Sequence, residues 1–152
     1  MKNLGDGDVL QSIEKRIARL HPGVRAVWGR MSAHQMICHL SDSFRAGLGE
    51  KWVSPASGPA QRTLVKWFAL YIPLPWPKGV PTRPEVDQLS GGTPPVDFEK
   101  DRAGLLAVLG RFCDPRQRFY GRSHPIFGPM DAAEWLRWGW LHADHHLRQF
   151  GM

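Results

Sequence analysis

Three histidines lie close together near the end of the chain, in the segment LHADHHLRQF. On a helix, His142 and His146 are separated by about 40° around the axis and by ~6 Å along it. Both imidazoles can then reach one point, which is the i, i+4 geometry of helical zinc sites. His145 lies off that line and is expected to be a neighbour of the site. The alternative for each histidine is the commoner role of a lone helical histidine, a packed or solvated side chain.

A metal site that carries out chemistry uses about three protein ligands and leaves a position open. His39, in the middle of an earlier predicted helix, is the best candidate for the third ligand. Asp42 lies one turn further on and would orient a ligand or serve as one, and His124 would approach from a loop. The chain has no HExxH motif, so a zinc protease would lack its general base. Imidazoles suit zinc, nickel or iron, and the pattern does not choose among these metals.

Composition excludes several other classes of protein. The chain has 152 residues, of which 42% are hydrophobic, enough for one domain with a core. Its two cysteines, Cys38 and Cys113, exclude a disulfide scaffold and a four-cysteine zinc site, and Cys38 is expected to be a small buried residue. The net charge of +6 would attract anions, but the arginines are scattered along the chain, so we predict no nucleic-acid partner.

The absence of targeting and membrane signals favours a cytoplasmic protein. The first residues, MKNLGDGDVL, contain no apolar run and therefore do not form a signal peptide. The longest apolar stretch, residues 67–76, is about half of the ~20 residues that a membrane helix needs, and prolines interrupt it.

Hydrophobic periodicity and capping residues predict an all-α fold. The predicted helices cover residues 8–20, 32–48, 61–72, 97–112 and 131–150. Ser32 caps the second, and Asp131 with Glu134 forms a capping box at the last. The apolar positions expected to face the core include Ile13, Ile17, Met36, Leu40, Phe44, Leu64, Phe68, Ile72, Leu105 and Leu109. No convincing strand is found.

The segment from Pro73 to Pro95 contains seven prolines and three glycines in 23 residues. No regular helix or sheet ladder tolerates that density. Apolar residues such as Trp76 are interspersed, so we predict an ordered loop that lies on the domain as a lid or binding loop. Trp76 would give a substrate an apolar wall, and Lys78 or Arg83 would attract an anionic group.

The phrases MSAHQMICHLSDS and HADHHLRQFG, separated by a long crossover, resemble the DinB-like superfamily of metal-binding four-helix bundles. The phrases HPIFGPM and HHLRQFG are still more similar to an uncharacterised branch of it. The resemblance implies a single domain over residues 1–152, a four-helix bundle whose long proline-rich crossover carries an extra short helix. It also implies a divalent metal (zinc, nickel or iron) held by three histidines. These map onto His39, His142 and His146, with Asp42, His145, His124 and Trp76 around them.

Relatives in this superfamily include transferases and isomerases that depend on low-molecular-weight thiols. The resemblance therefore implies a metal-dependent enzyme that acts on a small molecule with a thiol cofactor. A metal- or ligand-binding protein without catalysis, and a metal-dependent hydrolase, are the alternatives. Relatives often form dimers, and seven tryptophans are many for so small a core, so some are expected on a surface that a second copy covers.

Overall fold

Five α-helices carry most of the fold, and the four longer ones each begin after a capping aspartate or serine. The computed structural model describes all residues from Met1 to Met152. The helices are α1 (Gly7–Ala18), α2 (Ala33–Leu48), α3 (Lys66–Tyr71), α4 (Phe98–Phe112) and α5 (Ala132–Gln149). The capping residues are Asp6, Ser32, Asp97 and Asp131, whose side-chain oxygens accept hydrogen bonds from backbone N–H groups of the first turn. The predicted helices and the mainly helical class are thus confirmed.

The core lies where the four longer helices meet. Helices α1 and α2 both contact α4 and α5. The apolar positions predicted for these helices, among them Ile13, Leu40 and Leu109, are buried in one hydrophobic cluster. Gly139 of α5 lets the core close tightly, because a Cβ there would come within 3.0 Å of the Phe112 ring. The same Cβ would lie 3.3 Å from the Phe44 ring of α2, so Gly139 lets α5 pack closely against both α2 and α4.

The third predicted helix is present, but its predicted apolar face is not in the core. A π-helical turn, Gln61–Val65, leads directly into α3. Leu64 is 73% exposed and Phe68 is 56% exposed. Because α3 contacts α5 through its opposite side, Leu70 is its one buried residue. The periodicity correctly predicted that Leu64 and Phe68 share one face of the helix. It did not predict that this face is exposed and that the opposite side packs on the core.

The two long connections differ from each other. Residues 73–95 contain only a short 3₁₀ turn, Pro84–Val86, in agreement with the predicted irregular loop. The connection before α5 forms a small antiparallel hairpin of β1 (Ser123–His124) and β2 (Gly128–Pro129), where no strand was predicted. Two-residue strands are too short to give a periodic pattern. None of the helices is both long enough and apolar enough to cross a membrane.

Candidate metal centre

The side chains of His39, His142 and His146 meet between α2 and α5. Their candidate ligand nitrogens all lie within 4.8 Å of one another. Nε2 of His39 is 3.0 Å from Nε2 of His142. The ring centroid of His146 lies 4.6 Å from that of His39 and 4.9 Å from that of His142. Nitrogen atoms that converge in this way could hold one metal ion.

Two of the three imidazoles are held by a partner on the ring nitrogen away from the centre. Nδ1 of His39 donates to the carbonyl oxygen of Val86, 2.6 Å away. Nδ1 of His146 donates to Oε1 of Gln149 at 2.9 Å, and Nε2 of Gln149 in turn donates to the carbonyl of Trp28 at 2.8 Å. A proton on Nδ1 leaves Nε2 with a free lone pair, as ligation requires. The two histidines are therefore held as the tautomers that a metal needs.

Burial keeps all three histidines neutral. It is the main reason why the pKa of His39 is lowered, and the backbone of Val86 opposes that shift only in part. The pKa values of His142 and His146 are lowered further, because each is buried and lies close to other histidines that would also be cationic. Nδ1 of His142 is buried without a hydrogen-bond partner. A neutral imidazole is the form that binds a metal, so these residues fit a divalent cation.

Asp42 makes no hydrogen bond to the three histidines and affects the centre only through the loop that carries Val86. Its fully buried carboxylate accepts hydrogen bonds from the backbone N–H of Thr93 at 2.8 Å and from the Thr93 hydroxyl at 2.7 Å. Nε2 of Gln88 donates to it as well, and the ammonium of Lys51 lies 3.2 Å away. Burial opposes ionisation of Asp42, but these donors outweigh it and lower its pKa. Asp42 thus fixes on α2 the loop that supplies the carbonyl of Val86.

His145 and Trp76 lie beside the centre, as the sequence predicts. The ring of His145 is 5.1 Å from that of His146 and 6.2 Å from that of Trp76. Trp76 is also 6.2 Å from His142, and its indole N–H donates to the carbonyl of Ala69 at 2.9 Å. These side chains form an aromatic wall on one side of the three histidines.

Lys78 and Arg83, the two predicted anion-attracting groups, differ in position. The ammonium of Lys78 lies 4.6 Å from the ring centre of Trp28, which contacts His145. Arg83 instead donates to the hydroxyl of Ser54 at 2.5 Å. Lys78 is therefore the better placed of the two to attract an anion towards the aromatic wall.

His124 belongs to the hairpin. Its Nδ1 accepts hydrogen bonds from the backbone N–H groups of Ile126 and Phe127. Trp138 lies between His124 and the centre. The centroid of its ring is 5.0 Å from that of His124 and 5.0 Å from that of His142. Burial lowers the pKa of His124 to about 3. Its hydrogen bonds give it a structural role in closing the turn.

Sequence reasoning missed three groups at the site: the carbonyl of Val86, the side chain of Gln149 and the ring of Trp28. Gln149 had a readable signal, because it follows His146 by one helical turn in the phrase HHLRQF. The carbonyl of Val86 had none, because any residue in that loop would offer the same atom.

The fold and site define a mainly helical protein with a three-histidine group that could hold a metal ion. The chain belongs to the DUF1569 family, described as proteins of unknown function, whose model matches residues 8–151. No curated protein and no solved structure is significantly similar to the chain. The resemblance to the DinB-like superfamily stays a prediction.

Proposed function

We propose that this protein is a divalent-metal-binding four-helix bundle of the DinB-like type, with His39, His142 and His146 as the metal ligands. The observation that carries the proposal is the convergence of three ring nitrogens within 4.8 Å of one another. The partners of His39 and His146 on Nδ1 support it, because they leave Nε2 for the metal. The contacts of α1 and α2 with α4 and α5 support the bundle.

Elemental analysis of the purified chain, after removal of any histidine tag, tests this assignment. We expect the wild type to bind one equivalent of zinc, nickel or iron more than each of His39→Ala, His142→Ala and His146→Ala. His21→Ala is the matched control, because His21 is exposed and lies outside the site. Full metal content in all three site variants would show that the ligands are misassigned.

The activity that we propose for this site is transfer or isomerisation of a small molecule with a low-molecular-weight thiol as cofactor. A bound divalent metal would lower the pKa of a thiol that ligates it and make it a nucleophile at neutral pH. The protein's own contribution is to hold the ligand tautomers and to form the wall of Trp76 and His145. Lys78 would attract an anionic group of the substrate.

The contacts of Asp42 favour this chemistry over hydrolysis. Hydrolysis by a metal-bound water is often assisted by a carboxylate base near the metal. Asp42 is instead engaged by Thr93, Gln88 and Lys51. A ligand-binding protein without turnover is the remaining alternative, because the same three histidines could capture a ligand without changing it.

Cobalt-substituted protein separates these functions. For a transferase we expect added thiols to change the cobalt absorption spectrum, and an electrophile added with the thiol to be consumed. Consumption of a small ester or amide without any thiol would favour the hydrolase. If no thiol perturbs the metal and neither substrate type is consumed, the binding protein without catalysis is the better description.

A further inference from the structure

A second group of metal-binding side chains lies on a different face of α2. Nε2 of His34 is 2.7 Å from Oδ2 of Asp101 on α4, and Sγ of Cys38 is 3.9 Å from the same oxygen. One donor atom from each residue lies within 4.8 Å of the others. His34 and Cys38 are one helical turn apart, whereas Cys38 and His39 are separated by about 100° around the axis. The group is therefore distinct from the three-histidine centre.

We propose that His34, Cys38 and Asp101 bind a second metal ion of the zinc class. Imidazole nitrogen, thiolate sulfur and carboxylate oxygen are the three donor types that zinc takes in proteins. Three protein ligands leave a coordination position for water or another small ligand. The sulfur makes this donor set softer than three imidazoles, so the two sites would differ in their preference among metals.

The charges of the three side chains suit a divalent cation. A neutral imidazole, a carboxylate and a thiolate together carry two negative charges, which one such cation balances. Without a cation the thiol of Cys38 donates to Oδ2 of Asp101, 3.9 Å from Sγ. Binding would break the S–H bond, form a sulfur–metal bond and release the proton to solvent.

Asp101 has an oxygen left for the cation. Its Oδ2 accepts the backbone N–H groups of Val96 and Asp97 at the start of α4, in addition to His34. All of its hydrogen bonds fall on Oδ2, so its other oxygen, Oδ1, accepts no hydrogen bond from the protein. Hydrogen bonding to the start of α4 is reason enough for an aspartate at position 101. It does not account for the histidine at position 34 or the cysteine at position 38.

An ion can reach this group from solvent. The side chains of His34 and Asp101 are 22% and 30% exposed. Cys38 is buried behind them, and the ring of His34 packs edge-on against Phe98 with centroids 5.2 Å apart. This contact limits the movement of the imidazole. The site is thus open on one side and anchored on the other.

Cobalt titration of the chain tests the proposal, because a thiolate ligand gives Co²⁺ a charge-transfer band in the near ultraviolet and an all-histidine site does not. The Cys113→Ser variant serves as the parent, since Cys38 is then the only cysteine. We expect the parent to develop this band and to release a proton as cobalt binds. Adding Cys38→Ser should abolish the band and reduce the bound cobalt by one equivalent.

His34→Ala in the same parent is the second variant, chosen because His34 is partly exposed and its loss leaves the core intact. We expect it to lower the affinity for the cobalt ion that gives the band. Loss of an outer-shell partner typically lowers metal affinity by about 10–100-fold, and loss of a ligand should lower it by at least as much. His21→Ala should leave the band unchanged. The proposal is overturned if saturating cobalt gives the parent no such band, if Cys38→Ser retains it, or if His34→Ala binds as tightly as the parent.

Discussion

Gln149 decides which nitrogen of His146 faces the centre, although it would not touch the metal. Its Oε1 accepts from Nδ1 of His146, and its Nε2 is anchored on the carbonyl of Trp28. Gln149→Ala removes the acceptor and frees the ring to change tautomer. We expect the affinity of the three-histidine centre for its metal to fall by about 10–100-fold, while this centre still fills at high metal concentration. A chelator competition assay measures this change.

The exposed glutamine of α1, Gln11, provides the matched control. Gln11→Ala removes the same side chain far from the three histidines in sequence and should leave the affinity unchanged. An affinity for Gln149→Ala equal to that of the wild type would mean that the hydrogen bond does not select the tautomer.

His124 should make the stability of the protein depend on pH. Burial lowers its pKa from the ordinary 6.5 to about 3. Between these values the unfolded chain binds a proton that the folded chain does not, so the free energy of unfolding decreases as the pH falls from 6.5 towards 3. His124→Asn can still accept the N–H groups of the turn but does not titrate. We expect its stability to fall by about 2 kcal/mol less than that of the wild type between pH 6.5 and pH 4.5.

Urea denaturation at the two pH values measures this difference. His21→Asn makes the same substitution at an exposed histidine and should keep the pH dependence of the wild type. If His124→Asn also keeps it, the buried imidazole of the hairpin does not control the acid sensitivity of the fold.

At the scale of the elements, most of what positions the centre could be predicted from the sequence. Five helices were predicted, and the capping residues of the four longer ones lie where those helices begin. The i, i+4 spacing of His142 and His146 placed both rings on one face of α5. The convergence of His39 with that pair could not be derived from spacing, because it depends on how α2 packs on α5.

The position of the Val86 carbonyl could not be predicted from the sequence. Its proline content predicts irregular structure, and irregular structure has no period from which the direction of a carbonyl can be read. The contacts of Asp42 with Thr93 and Lys51, which fix this loop, join residues far apart in the chain. Such contacts become visible only once the helices are packed.

Substitution of Asp42 tests the coupling between the loop and the centre. Asp42→Asn removes the negative charge that holds Lys51 and weakens the hydrogen bonds from Thr93. We expect the free energy of unfolding to decrease by on the order of 2 kcal/mol. Hydrogen exchange of residues 84–93 should become faster, because the loop that carries Val86 is released from α2. The metal stoichiometry should not change.

Asp114→Asn is the control for the loss of an aspartate, because Asp114 pairs with the exposed Arg116 on the surface. Its effect on stability should be within about 0.5 kcal/mol. Loss of one equivalent of metal in Asp42→Asn, with the fold intact by circular dichroism, would instead make Asp42 a ligand.

The whole molecule presents one extended apolar surface. Four large side chains on one side of the segment formed by the π-helical turn and α3 are exposed: Leu64, Trp67, Phe68 and Tyr71. Their spacing of three and four residues makes them a continuous stripe. Contiguous apolar patches on the surface of a protein often mark a site of interaction. This is the surface on which the predicted homodimer would form.

We expect the wild type to sediment at twice the chain mass of 17.2 kDa and the Leu64→Glu/Phe68→Glu double variant to sediment as a monomer. Two carboxylates facing a second copy would each be desolvated without a partner, which costs more than the lost apolar contact. Tyr120→Glu is the control, because Tyr120 is 86% exposed and lies outside the stripe. A wild type that sediments near 17.2 kDa at every concentration would refute the dimer. A double variant that remains dimeric would place the interface on another surface.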